Sequence, residues 1–135
     1  MSTRSKGRAF ETWGRDYLRE HGWDVHLCGR KAVMLGPGKM VTKGDDIFGS
    51  DLVAVKPGEL TLFVQLTCDS NLKKRLEEFK RHGFEPAHQR VELWQKRSGG
   101  AVVVHAFQGG ALIETGRIIR GRFYQVEGQG EGSAS

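Results

Sequence analysis

At 135 residues the chain is one domain's worth of polypeptide, and a hydrophobic content of 38% is enough for a packed core. No long apolar run marks a membrane span, and no apolar stretch follows the basic start Met1-Ser2-Thr3-Arg4-Ser5-Lys6, which does not read as a secretory signal, so a cytosolic protein is expected. Cys28 and Cys68 lack CxxC or zinc-finger spacing, which predicts two reduced thiols, while the net charge of +5 and a pI near 9.5 favour a polyanionic partner.

The first predicted element is a helix from about Lys6 to His21: Phe10, Trp13, Tyr17 and Leu18 fall on one arc, Glu11 lies at its edge, and Gly22 is placed to end it. The alternating segment Trp23–Cys28 reads as a half-buried strand. Gly29 to Lys43, rich in glycine and basic residues around Gly36-Pro37-Gly38, reads mostly as a loop with a short strand at Ala32–Leu35. Strands follow at about Leu52–Lys56 and Leu60–Leu66, then a helix near Asn71–His82 with Leu72, Leu76 and Phe79 on one side, capped by Ser70 or Asn71 and stopped by Gly83. Arg90–Lys96 and Ala101–Phe107 make a second hairpin, in which Val102–Val104 is a continuous buried run. Ala111–Val126 is read as a short strand or irregular cover, and 128–135, rich in Gly and Ser, as a flexible tail after a domain spanning 1–127. This order indicates a single α/β domain with a mixed central β-sheet flanked by helices.

The chemistry is concentrated in Gly49-Ser50-Asp51-Leu52-Val53-Ala54 and Val64-Gln65-Leu66-Thr67. Joined as antiparallel strands by Pro57-Gly58-Glu59, a register that sets Lys56 opposite Leu60 also sets Asp51 opposite Gln65, on a shared sheet face. Gln65 and Thr67 then lie roughly 6–7 Å apart on that face. Together with Asp51 they form a cluster of oxygen ligands of the kind a hard divalent cation takes. Lys73, Lys74, Arg75, Lys80 and Arg81 follow closely, with Glu77 and Glu78 partly offsetting them. The five histidines have no zinc spacing, and the glycines have no phosphate-loop spacing, so no nucleotide cofactor is expected.

These pieces, with Lys6-Gly7-Arg8-Ala9-Phe10-Glu11 on the first helix, resemble the PD-(D/E)XK nuclease superfamily, and within it the archaeal Holliday junction resolvases and phage-borne resolvase-like endonucleases. The likeness covers about residues 6 to 80, and its specificity comes from the order of short motifs. It implies a restriction-endonuclease-like fold and a Mg²⁺-dependent endodeoxyribonuclease, with Mn²⁺ able to substitute. It also implies a homodimer acting on branched or four-way junction DNA, with an apolar dimer patch expected at Val102–Val104 or around Trp94. By the same resemblance Glu11, Asp51, Gln65 and Thr67 are catalytic, and Glu11, Asp51, Gln65 and the Leu66 carbonyl hold metal. It further implies that Lys6, Arg8, Lys31, Lys43, Lys73, Lys74 and Arg75 contact DNA. Two positions depart from the pattern: Gln65 stands where the family more often has Glu, and Thr67 where most members have a catalytic Lys. Lys43, Lys31 and Lys73 are candidates to supply the missing cation, and Asp45 or Asp46 to restore a carboxylate. A nicking or restriction-type enzyme on duplex DNA, or an inactive nuclease fold that only binds DNA, keeps the same residues.

Overall fold

The computed structural model describes residues 3–28, 30–44, 48–68 and 70–126. They form α1 (Thr3–Glu20), β1 (Asp24–Leu27), β2 (Arg30–Gly36), β3 (Lys39–Gly44), β4 (Leu52–Val55), β5 (Thr61–Thr67), α2 (Leu72–Lys80), β6 (Gln89–Lys96), β7 (Val102–Gln108), β8 (Ala111–Ile119) and β9 (Arg122–Gln125). Seven strands make one mixed sheet in the order β1-β4-β5-β6-β7-β8-β9, and β2 and β3 form a separate ribbon. Within the large sheet only β5 and β6 run parallel, because α2 carries the chain from the end of one to the start of the other. The molecule is thus a mixed α/β domain.

Strand alternation assigns the two faces. On one, Leu62, Val64 and Leu66 of β5 join Leu52 and Ala54 of β4, Trp94, Val102 and Val104, and Phe10, Tyr17 and Leu18 of α1 pack over them. On the other, Phe79 of α2 packs on Val91 and Leu93, with Phe63, Phe84 and Phe107 around it. Under α1 lies a buried carboxylate with a partner on each oxygen: Glu92 accepts from Arg90 Nε at 2.7 Å and from Trp94 Nε1 at 2.8 Å. Burial, with Glu92 nearby, raises the pKa of Tyr17 above the usual tyrosine value.

Gly14 sets how closely α1 approaches. A Cβ there would lie 2.8 Å from Leu66 Cδ2 and 3.1 Å from Leu52 Cδ1, so the helix rests directly on β4 and β5. At the helix's far end Lys56 Nζ donates to the His21 carbonyl at 2.9 Å. Travelling up α1 towards its N-terminus therefore follows β5 towards its C-terminus. Glu11, one turn before Gly14, lies towards the end of the sheet that carries Asp51 and Thr67.

Several expectations need correction. Gly29 to Lys43 is not mostly loop: Arg30–Gly36 and Lys39–Gly44 pair about the Pro37-Gly38 turn, since the apolar and β-branched residues flanking that turn favour strands despite the interspersed charge. Ala111–Val126 is a full strand pair, β8 and β9, extending the sheet rather than covering it. Asn71 caps α2, accepting from Lys74 N–H at 3.2 Å, and Arg81 rather than Gly83 occupies the C-cap. Trp94 and Val102–Val104 are buried within the sheet's own core, so they offer no dimer patch. Asp45 and Asp46 and the tail 128–135 lie outside the described residues. No helix among the described residues is long and apolar enough to cross a membrane.

Candidate functional site

The β4–β5 hairpin has the anticipated register over Leu52–Val64, Val53–Phe63 and Ala54–Leu62. At Asp51 it changes. Asp51 N–H donates to the Val64 carbonyl at 2.8 Å although Leu52 is already Val64's ladder partner, so two successive residues oppose one, as in a β-bulge. The Asp51 carbonyl is taken by Cys28 N–H at 2.8 Å, continuing β1's pairing. A bulge re-aims its side chain, and Asp51 Oδ2 accepts the Leu66 N–H at 2.9 Å. The carboxylate therefore lies along the β4–β5 seam. This corrects the expectation that Asp51 faces Gln65 across the ladder.

Gln65 and Thr67 project on the α2 side. Gln65 Nε2 reaches Glu78 Oε1 at 3.5 Å, an oxygen that also accepts from Arg75 Nη1 at 3.3 Å. Gln65 Oε1 is buried and has no hydrogen-bond partner. Thr67 is buried opposite Gln95 of β6, and Gln95 Oε1 is 3.4 Å from His105 Nε2. Glu11 belongs to α1, on the other face. The structure thus joins Asp51 to Leu66 and Gln65 to Glu78, and it places Glu11 and Gln65 in different layers with Asp51 at the seam between them.

The segment entering Asp51 is held in an uncommon conformation. Phe48 and Gly49 have successive positive φ values of 52° and 77°, which costs of order 1–2 kcal/mol at a non-glycine residue. Ring contacts anchor it: Phe48 lies 6.3 Å from Phe63, 5.8 Å from His82 and 6.2 Å from Phe84. Ser50 follows, wholly buried, and its Oγ has no hydrogen-bond partner. Two buried oxygens, Ser50 Oγ and Gln65 Oε1, are therefore unsatisfied on residues adjoining the two halves of the Asp51–Leu66 contact.

Among the basic residues, Arg8, Lys73 and Lys74 are exposed, while Arg75 is turned towards Glu78. Lys6 lies in α1, and Lys31 and Lys43 are opposite one another in the β2–β3 ribbon. Among the described residues no three His, Cys, Asp or Glu side chains form a metal-binding group. An ion at Asp51 would have to draw on neutral oxygens as well.

Sequence reasoning missed a second feature. Between the N-terminal half of α1 and the β8–β9 turn runs a groove of about 820 Å³, bordered by Phe10, Trp13, Lys96, Arg120, Arg122 and Tyr124. The cue was present in Arg120-Gly121-Arg122-Phe123-Tyr124, a run of cations and aromatics, but its partners on α1 and β6 are distant in sequence. Compared with protein-family models, curated proteins and solved structures, the chain matches none.

The Asp51 bond is expected to be structural as well as chemical. Asp51→Ala leaves the Leu66 N–H without its acceptor and should lower unfolding stability by about 1–3 kcal/mol, whereas Asp51→Asn, keeping an acceptor oxygen, should lose clearly less. Equal urea midpoints for the two variants would contradict the assignment.

His105 supplies a pH dependence. Burial lowers its pKa below the usual histidine value, against an upward pull from Glu114 and with a further downward push from Arg97. The unfolded chain then binds more protons than the folded one as pH falls through about 6.5. Stability is fully present above that pH and declines on acidification. His105→Gln should make the fall in melting temperature between about pH 7 and about pH 5 shallower, and an unchanged slope would remove His105 as its source.

Proposed function

We propose that this protein is a metal-dependent DNA endonuclease with a restriction-endonuclease-like fold, acting on branched DNA of the four-way junction kind. The observation that carries the reading is the Asp51 bulge: it holds a carboxylate on the seam of an antiparallel hairpin, bonded to Leu66 N–H and next to two buried unsatisfied oxygens. The mixed sheet with a helix on each face, and Glu11 near the same sheet end, also support it.

The donor set is all oxygen and carries little charge, which fits a small hard cation that keeps several waters, such as Mg²⁺, with Mn²⁺ as a substitute. Asp51 would hold the ion, with Glu11 from α1 and the neutral oxygens of Ser50, Gln65 and Leu66 as further donors. When bound, the ion lowers the pKa of a coordinated water and offsets charge on the scissile phosphate. The rest falls to the chain itself. Thr67, where a lysine would stand, has a hydroxyl able to orient the water but no cation. Arg8, Lys73 and Lys74 are exposed and available to phosphates, contacts that set position without reading bases. A homodimer would give one site for each of the two symmetry-related cuts in a junction.

A DNA-binding protein without cleavage is the second reading. Its support is that Gln65 is drawn towards Glu78, Thr67 replaces the lysine, and no three acidic or imidazole groups converge among the described residues.

Wild type and Asp51→Asn should be compared on labelled four-way junction, flap, linear duplex and single strand, with Mg²⁺, Mn²⁺ or EDTA. Paired symmetric junction cuts, dependent on metal and reduced at least a hundredfold in Asp51→Asn while DNA affinity is retained, are the expected outcome. Full cleavage by Asp51→Asn would refute the role of Asp51; tight binding with no cutting by wild type would establish the second reading.

A further inference from the structure

The seven-stranded sheet is wider than one helix can cover. α1 packs on β1, β4 and β5, and beyond its N-terminal half β7, β8 and β9 form the floor and far wall of the open groove. Among the described residues three cations line it, Lys96 at the end of β6 and Arg120 and Arg122 at the β8–β9 turn, and no carboxylate does. Lys96 Nζ lies 6.0 Å from the centroid of Phe10. Trp13, half-buried, stacks on the buried Phe10 ring at 5.8 Å, and Tyr124 of β9, 51% exposed, also lines the groove. Gly100 and Gly121, at φ 90° and 78°, present bare backbone in the two bordering turns, and a Cβ on either would meet nothing within 4 Å.

The geometry points to this groove as a binding site for a single strand of DNA. Exposed Tyr124 and the open part of half-buried Trp13 offer surface on which bases stack whatever their identity, and the cations and bare turns track the phosphates. A duplex presents its bases edge-on and stacked, so it can use the cations but cannot stack a base on Tyr124 or Trp13. The groove is built largely by residues 96–124, beyond the part of the chain that resembles known nucleases. Lys96 lies one residue past Gln95, which is opposite Thr67, so the groove opens at the same end of the sheet as Asp51. A strand leaving a branch point near Asp51 would have this groove as its path. The choice of DNA as the polymer rests on the proposed function; the binding itself requires neither metal nor cleavage.

The test is fluorescence anisotropy in EDTA with a labelled oligothymidylate, against unlabelled duplex, oligouridylate and polyglutamate as competitors. Wild type should bind saturably. Arg120→Glu combined with Arg122→Glu should weaken binding at least tenfold at low salt and reduce the slope of log affinity against log salt by about 1.4 or more. Tyr124→Ala should weaken it about tenfold with the salt slope unchanged. All three positions are exposed, and circular dichroism would verify that the variants fold. Asp51→Asn should bind as wild type whatever the outcome of the cleavage assay, which separates failure of the groove from failure of the metal site. Absence of saturable binding, wild-type affinity in both groove variants, or displacement by duplex or polyglutamate at equal charge would overturn the proposal. Equal competition by oligouridylate would overturn the assignment to DNA.

Discussion

One hydrogen bond organises this molecule: the Leu66 N–H donated to the Asp51 carboxylate. Where Asp51 and Leu52 together oppose Val64, β4 leaves the regular ladder, and the Leu66 amide finds its acceptor in a side chain instead of a strand carbonyl. That amide lies at a partly buried strand position, so leaving it unpaired would cost more than the bond itself contributes. The Asp51 backbone meanwhile ties β1 to β4 through Cys28, so one residue links three strands. Because the carboxylate is spent on the seam, it is fixed in position between the α1 layer and the α2 layer. The site is thus an extension of the sheet's own hydrogen bonding, with Phe48 and Gly49 delivering the chain to it through strained backbone.

The sheet's two faces divide the remaining labour. Under α2 the apolar patch of Phe79, Val91, Leu93 and Phe107 gives way towards the C-terminal ends of β5 and β6 to buried polar residues, Gln65, Thr67 and Gln95, with His105 of β7 beside them. Buried polar groups in this number need partners, and Glu78 and the Gln95–His105 contact supply some of them. Under α1 the packing is aromatic and aliphatic, and Gly14 permits the helix to sit directly on Leu66. The polar residues therefore cluster at one sheet end, while the basic aromatic groove opens beside the same end on the opposite face.

Much of this was legible in the sequence, and the reasons are local. The Pro57-Gly58 turn and the alternation of Leu62, Val64 and Leu66 are short-range signals, and they set the hairpin register correctly from Leu52 to Ala54. The arc of Phe10, Tyr17 and Leu18 likewise gave α1 its buried side. The slip at Asp51 was not legible, because it depends on β1 competing for the Asp51 carbonyl and on the chain's approach through Phe48. Nor was the groove: its wall comes from α1, its rim from β6, and its far side from β8 and β9. The charges of Gly29–Lys43 obscured the β2–β3 ribbon, since strand pairing there follows from the residues flanking the Gly36-Pro37-Gly38 turn.

The claim that Asp51 and the end of β5 form a cation site is tested most directly by adding Mn²⁺ in small steps to isotopically labelled protein and following amide resonances. Paramagnetic broadening confined at first to Ser50–Leu52 and Gln65–Thr67, relieved by excess Mg²⁺ and absent in Asp51→Asn, is the result this account predicts. Broadening centred elsewhere, or unchanged by Asp51→Asn, would contradict it.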